Sequence, residues 1–229
     1  MRKGCWQLML IPLLLLVFVA PAWGDDKAKD EETLKNASKL VSDMLGGTQV
    51  PADVLARANC IIVLPSVKKV GFGIGGSGGR GPMSCRGGKD FSGQWSVPAM
   101  YSIGGASVGL QVGGSSTNYV LLVMSQKGVD AVLEGKTKLG NEATAAAGPS
   151  GATTGSVGAD IFTYAKASGL FAGASLGSAT LEQDKDANKR LYGKAIIAKE
   201  ILLEHGSTAT PAGQELVSTL NTKIPKHRS

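Results

Sequence analysis

The chain has 229 residues, of which 43% are hydrophobic and 18% are charged, and its formal net charge is +6. This length suits one domain with a substantial buried core. The modest charge argues against a dedicated nucleic-acid-binding protein, which presents a clustered basic face. Two histidines and three cysteines at wide separations do not make a zinc site, and we predict neither a metal nor a cofactor.

Residues 1–24 have the pattern of a secretory signal peptide. Two basic residues precede a nearly unbroken apolar run from Leu8 to Ala20, and residues 22–24 form a small-x-small cleavage site before Asp25. The run is shorter than the roughly 20 residues of a membrane span. The alternative is an uncleaved N-terminal anchor. We predict an exported protein, either periplasmic or secreted, that is accessible to a membrane surface.

The mature chain is predicted to open with a charged leader over residues 25–34, which leads into a helix. Apolar residues recur along one face of that helix at three- and four-residue steps, and Gly46-Gly47 ends it. Pro51 begins a short second helix. The apolar face of the first helix either covers the domain core or lies on a membrane. This face consists of Leu34, Ala37, Leu40, Val41, Met44 and Leu45.

A compact apolar run from Cys60 to Leu64, ended by Pro65, predicts a buried strand. The next segment is too rich in glycine for a helix. It predicts a hairpin with strands over residues 70–76 and 82–86 and a turn over residues 77–81. In an exported protein Cys60 and Cys85 form a disulfide, or they remain two unpaired thiols.

From Gln94 onward the pattern is that of short strands, with one brief helix from Lys127 to Glu134. Glycine-rich connections are predicted over residues 104–105 and 113–118. The predicted strands are Trp95–Ile103, Ser107–Val112, Tyr119–Met124, Glu142–Ala147, Asp160–Ala167, Gly169–Leu176 and Ser178–Leu181.

The last third of the chain is helical. Asp184 or Asp186 caps a predicted helix that runs to about Glu204, and Thr210-Pro211 starts a final helix before a basic tail. Strands in the middle and helices at both ends predict an α+β fold. The many small residues in the strands indicate a strongly bent, mainly antiparallel sheet or partial barrel, flanked by N- and C-terminal helices.

Two patterns that mark catalytic or cofactor sites elsewhere are discounted here. Gly71 to Gly76 matches G-x-G-x-x-G, but no helix can follow it to face a pyrophosphate. Ser107 and Ser175 each lie in G-x-S-x-G, the pattern of a hydrolase nucleophile elbow. Both are followed by β-type sequence, and two matches in a chain with 32 glycines indicate chance. The remote alternative of a serine hydrolase would use His205 as base, with Asp130 or Asp160 as its orienting carboxylate.

Basic residues are the better candidates for a binding surface. One group surrounds the glycine-rich hairpin, whose open backbone N–H groups add to anion attraction, and a second lies along the C-terminal helix. Each is either ordinary solvated charge or a membrane-surface patch, where each charge near an anionic bilayer contributes about 1 kcal/mol. The first group is Lys68, Lys69, Arg80, Arg86 and Lys89, and the second is Lys185, Lys189, Arg190 and Lys194.

The order and spacing of several blocks resemble the SYLF domain. The first block is PSVKKVGFGIGG, beginning at Pro65, and the second is WSVPAMYSIGGASVGLQVGGSSTNYVLLVM, beginning at Trp95. The similarity continues through LEGKTKLGNEATAAAGP, ADIFTYAKASGLFAGASL and DANKRLYG to the EIL of the last long helix. It covers residues 35–205, and residues 206–229 follow as a C-terminal helix and basic tail.

The resemblance implies a non-enzymatic domain associated with phosphoinositide and membrane binding and, in fungal members, with actin binding. Lys68, Lys69 and Arg80 resemble the basic patch of the family's lipid site. The expected partner of an exported member is an anionic lipid or membrane surface. The alternative is a structural module that binds a protein through its sheet edge or glycine-rich loop.

Overall fold

The computed structural model describes residues 23–45, 50–72, 74–108, 113–139, 144–146, 160–167, 170–173, 179–204 and 207–228. Most of the predicted signal peptide lies outside these residues, as do Gly46-Gly47, Ser175 and His205. The helices are α1 Trp23–Leu45, α2 Ala52–Arg57, α3 Gln126–Glu134, α4 Lys185–Tyr192, α5 Ala198–Leu203 and α6 Pro211–Lys223. The strands are β1 Cys60–Phe72, β2 Ile74–Cys85, β3 Ala99–Val108, β4 Gly113–Val123, β5 Lys136–Lys138, β6 Thr144–Ala146, β7 Ile161–Ala167, β8 Leu170–Gly173 and β9 Thr180–Gln183.

The fold is α+β, as predicted. The strands form one curled sheet in the order β5-β9-β3-β2-β1-β4-β7-β6, with β8 added to β7. All described pairings are antiparallel except that of β6 with β7. One face packs against α3 and α5, and the other packs against α1, α2, α4 and α6. Each face therefore has its own hydrophobic core.

The predicted apolar face of α1 is confirmed, because the six residues of that face, between Leu34 and Leu45, are all buried. The helix begins earlier than predicted and includes the charged leader, residues 25–34. It packs against α6, where Ser38 and Thr219 share a hydrogen bond of 2.8 Å between their hydroxyl oxygens. The apolar face thus covers the core in this structure.

The hairpin is present, but the turn predicted over residues 77–81 is wrong. Strand β1 continues past Pro65 to Phe72, because the chain passes a bulge there in which Ser66 adopts a φ of 62°. Phe72 then pairs with Ile74, so the chain reverses between these two residues and residues 77–81 belong to β2. A bulge adds one unpaired residue and bends the strand without ending it, which is how proline is accommodated here.

Glycine inside β2 reflects close backbone approach. A Cβ at Gly81 would lie 1.8 Å from the carbonyl oxygen of Val63, and one at Gly79 would lie 2.8 Å from Val67 Cγ2. The predicted connections at residues 104–105 and 113–118 are likewise strand, within β3 and β4. Glycine and serine therefore form strands here, where their propensities alone predict loops.

The C-terminal helices are partly as predicted. The Asp184 side chain accepts from Ala187 N at 3.0 Å and caps α4. Gly193 then takes the left-handed conformation, with φ 71°, and ends α4 at Tyr192. The single helix predicted up to Glu204 is therefore two helices, α4 and α5. Helices α3 and α6 are confirmed, and Thr210 caps α6 as predicted.

Candidate functional site

The sheet projects beyond its two cores at one end. We call this projection the distal arm and define it as residues 68–72, 74–78, 104–108 and 113–116. It lies beyond the bulge of β1 and keeps the strand order β3-β2-β1-β4. Of its residues, most are glycine or serine, and the only charged ones are Lys68 and Lys69. The distal arm therefore carries two positive charges and no carboxylate.

Both lysines are open to an external ligand. Lys68 is exposed, and its register partners are Gly78 and Ser116. Lys69 is half-buried beside Ser77 and Ser115. No carboxylate among the described residues forms an ion pair with either ammonium group. Because successive strand residues point to opposite faces, the two unpaired lysines give each face of the distal arm one positive charge that can attract an anion.

Arg80 belongs to the fold and not to that surface. Its Nη2 donates to Asp30 Oδ1 at 2.7 Å, and its Nε donates to Asp184 Oδ2 at 2.7 Å. Arg190 donates from Nε to the other oxygen of Asp30, also at 2.7 Å. This hydrogen bond raises the pKa of the Arg190 guanidinium above its ordinary value. The network joins α1, β2 and α4, so one arginine from each predicted basic group is used internally.

Arg86 is also internal. It is buried and donates to the carbonyl oxygens of Ala58 at 3.1 Å and Pro225 at 2.6 Å. Its guanidinium carbon lies 4.5 Å from the ring centroid of Trp95, a cation–π contact. Burial lowers the pKa of this arginine. Arg86 therefore anchors the segment after α6, although the sequence placed it with the anion-binding candidates.

The remaining candidates lie away from the distal arm. Lys89 is exposed in the turn after β2, at the end of the sheet opposite the arm. Lys185, Lys189 and Lys194 are exposed on and just after α4. The five residues predicted around the hairpin are thus not brought together, and Lys68 and Lys69 are the pair that remains. No local sequence signal predicts this division, because it depends on carboxylates and carbonyls remote along the chain.

The structure offers little support for the hydrolase alternative. Ser107 lies in β3, paired with Gly75, and not at a turn into a helix. Asp130 accepts from Gln126, and Asp160 accepts from the Ser125 hydroxyl.

Burial raises the pKa of Tyr164 to about 12, so this phenol is neutral at ordinary pH. No three metal-binding side chains are clustered anywhere in the described part of the chain.

Two further features concern the hairpin cysteines and the length of the helices. The hairpin cysteines form the predicted disulfide, with an S–S distance of 2.06 Å between Cys60 and Cys85. Within the ranges given above, none of the helices has both the length and the apolar character needed to cross a bilayer.

The sequence was compared with protein-family models and with known proteins. The model of Ysc84, described as "Las17-binding protein actin regulator", matches residues 104–223. An SH3 domain-containing protein of Schizosaccharomyces pombe is 34% identical over 207 residues, which cover 83% of this chain and 46% of the relative. LAS seventeen-binding protein 3 of Saccharomyces cerevisiae is 36% identical over 186 residues, covering 75% of this chain and 39% of the relative.

A human relative gives the same result. SH3 domain-containing YSC84-like protein 1 is 34% identical over 187 residues, covering 79% of this chain and 53% of the relative. The chain thus spans about half the length of the curated relatives it matches, or less. No solved structure matches the chain significantly.

Proposed function

The chain belongs to the Ysc84 (SYLF) family, and on that premise we propose that it is a non-enzymatic module that binds anionic lipid at a membrane surface outside the cytoplasm. The observation that carries the proposal is the unpaired lysine pair of the distal arm. Lys68 and Lys69 project from a part of the sheet that holds no acidic residue. Anionic headgroups can approach either ammonium group, one on each face of the sheet, without meeting a competing carboxylate of the distal arm.

The expected size of this attraction is moderate. Each lysine near an anionic bilayer contributes about 1 kcal/mol, so the pair contributes about 2 kcal/mol. That is roughly a 30-fold gain in partitioning. Because exposed charges are screened within a Debye length of roughly 10 Å at 0.1 M salt, the gain falls as salt rises.

Two features favour a location outside the cytoplasm. Residues 1–24 have the signal-peptide pattern described above. The Cys60–Cys85 bridge suits an oxidising compartment, since cytosolic thiols are generally kept reduced.

A protein partner is the second candidate. Relatives carry names that describe them as binding LAS seventeen or as related to YSC84, and one of those names is LAS seventeen-binding protein 3. A shared module in this chain would then bind a protein, with the open edges of the distal arm as the contact. This reading predicts no dependence on lipid charge.

Charge reversal separates the two candidates. The chain carrying Lys68→Glu and Lys69→Glu is compared with the wild type by co-sedimentation with phosphatidylglycerol-containing vesicles. We expect at least a tenfold loss of vesicle binding, because two attractive charges become repulsive. The matched control is Lys185→Glu with Lys189→Glu, which changes the net charge equally on exposed residues of α4. Arg190 is left intact because it binds Asp30.

The control also defines failure. Equal losses in the two double variants would mean diffuse charge attraction without a site on the distal arm. Unchanged vesicle binding in the Lys68→Glu, Lys69→Glu variant would contradict the proposed role of these two lysines in lipid binding. Circular dichroism of both variants should match the wild type, since none of the four lysines lies in the core.

A further inference from the structure

Val70 is the most exposed large apolar residue that the structure describes. Its exposed fraction is 64%, and Ile197 follows at 45%. Its cross-strand neighbours are Gly76 on β2 and Gly114 on β4, so no side chain stands beside it on either strand. Val70 therefore gains little from cross-strand packing and is accessible to an apolar environment outside the chain.

The backbone around Val70 is suited to an apolar environment. Burying an unpaired peptide group away from water costs several kcal/mol, so only internally paired backbone enters lipid readily. Here β1 is paired on both sides as far as Gly71, with Gly75 on β2 and Gly113 on β4. Strand β2 is paired on both sides as well, up to Ile74 opposite Val108. The two central strands of the distal arm therefore have their peptide groups satisfied by neighbouring strands, whereas the described pairings join β3 and β4 to a neighbour on one side only over most of their length there.

Position along the strand fits the depth of a membrane interface. Val70 directly follows the two lysines, and Phe72, the last residue of β1, comes two residues later. At about 3.3 Å per residue, that span is about 7 Å. Interfacial elements reach roughly 5–10 Å into the headgroup and acyl boundary. Lysine side chains extend toward phosphate while their stems lie on apolar surface, so the lysines can stay at headgroup level.

Helix α1 starts at the same end of the molecule. Asp30 meets Arg80 on β2, close to the base of the distal arm, and the C-terminal end of α1 leads through α2 to Cys60 at the far end of β1. The helix thus runs antiparallel to β1, so its N-terminal end lies toward the distal arm.

We infer that the distal arm is an insertion element, in which Val70 enters the apolar boundary of a bilayer while Lys68 and Lys69 bind headgroup phosphates. This inference rests on the proposed function and adds to it a contribution that salt does not screen. It also sets the orientation of the domain, with β1 pointing toward the membrane and α2 away from it.

Substitution of Val70 tests the insertion. Val70→Ser should leave the fold intact, because the residue is exposed and has no packing partner across the strands. With salt at about 500 mM to screen the lysines, we expect residual binding to phosphatidylglycerol vesicles to fall three- to tenfold, the order expected for partial burial of one valine. Ile197→Ser is the matched control and should bind as the wild type does.

A depth measurement gives the second readout. Val70→Trp and Ile197→Trp share the same native tryptophans, so the difference between them reports the new residue alone. We expect vesicles of brominated lipid to quench Val70→Trp more than Ile197→Trp. Equal quenching, with charge-dependent vesicle binding retained, would overturn the insertion and leave the proposed function standing. Absence of wild-type binding to anionic vesicles at low salt would overturn both.

Discussion

Arg80, Arg86 and Arg190 bind acceptors inside the fold, whereas Lys68 and Lys69 have no acidic partner among the described residues. The difference follows from side-chain chemistry. A planar guanidinium can satisfy two or three fixed oxygens, as Arg80 does with Asp30 and Asp184, while an ammonium is a compact, strongly hydrated charge. Charges that remain available to a ligand are therefore the lysines.

Asp30 is the residue on which this arrangement depends. Its side chain is fully buried, and it is shared by Arg80 and Arg190. Asp30→Ala should lower the free energy of unfolding by about 3 kcal/mol, the low end of the range for breaking a buried ion pair, since both arginines are partly exposed. Urea denaturation measures the change. Asp43→Ala, on an exposed face of the same helix, should change it by no more than about 0.5 kcal/mol.

Equal effects of the two substitutions would contradict the role given to Asp30. The sequence could not predict that role, because Asp30 lies 50 residues from Arg80 and 160 from Arg190. Asp30 lies in the predicted charged leader, residues 25–34, where no local pattern indicates a buried partner. Only the packing of α1 onto β2 and α4 makes this carboxylate a buried partner.

Strands and helices show where local sequence was sufficient. The stripe of α1, the short α3 and the Thr210-capped α6 follow from periodicity and capping, and all three are present. The hairpin was misplaced, because Pro65 and the following glycines are usual signs of a turn. Tertiary contacts override that signal, since Gly81 must approach Val63 closely for β2 to pair with β1.

The disulfide fixes the base of this same hairpin. Cys60 and Cys85 face each other at the end of β1 and β2 that is remote from the turn. For a sequence separation of 25, the chain-entropy model gives about 3 kcal/mol of stabilisation. The Cys60→Ala, Cys85→Ala variant should have a free energy of unfolding lower by that amount, and its urea midpoint should fall accordingly. Mass analysis without reductant should show the wild-type chain lighter than the reduced form by two hydrogens.

Two results would contradict these expectations. A wild-type mass equal to that of the reduced chain would mean two free thiols. A double alanine variant as stable as the wild type would mean that Cys60 and Cys85 add nothing to stability. Reductant should destabilise the wild type and leave the variant unchanged.

At the scale of the molecule, the sheet has a buried end and an exposed end. Helices cover both faces of the core, and the distal arm extends beyond them with two lysines, the exposed Val70, four other apolar residues, and otherwise glycine and serine. Family membership could be predicted from the sequence, since the resembling blocks keep their order. The division of the basic residues could not, because it depends on which charges the folded chain pairs internally.

The distal arm is proposed to bind anionic lipid through Lys68 and Lys69. The most direct test is the partitioning of the wild-type chain between solution and vesicles, with phosphatidylglycerol-containing and purely phosphatidylcholine vesicles compared at about 50 mM and about 500 mM salt. The account predicts strong binding to the anionic vesicles at low salt, a clear loss at high salt, and much weaker binding to the neutral vesicles. Absence of binding to anionic vesicles at low salt, or equal binding to both kinds, would contradict it.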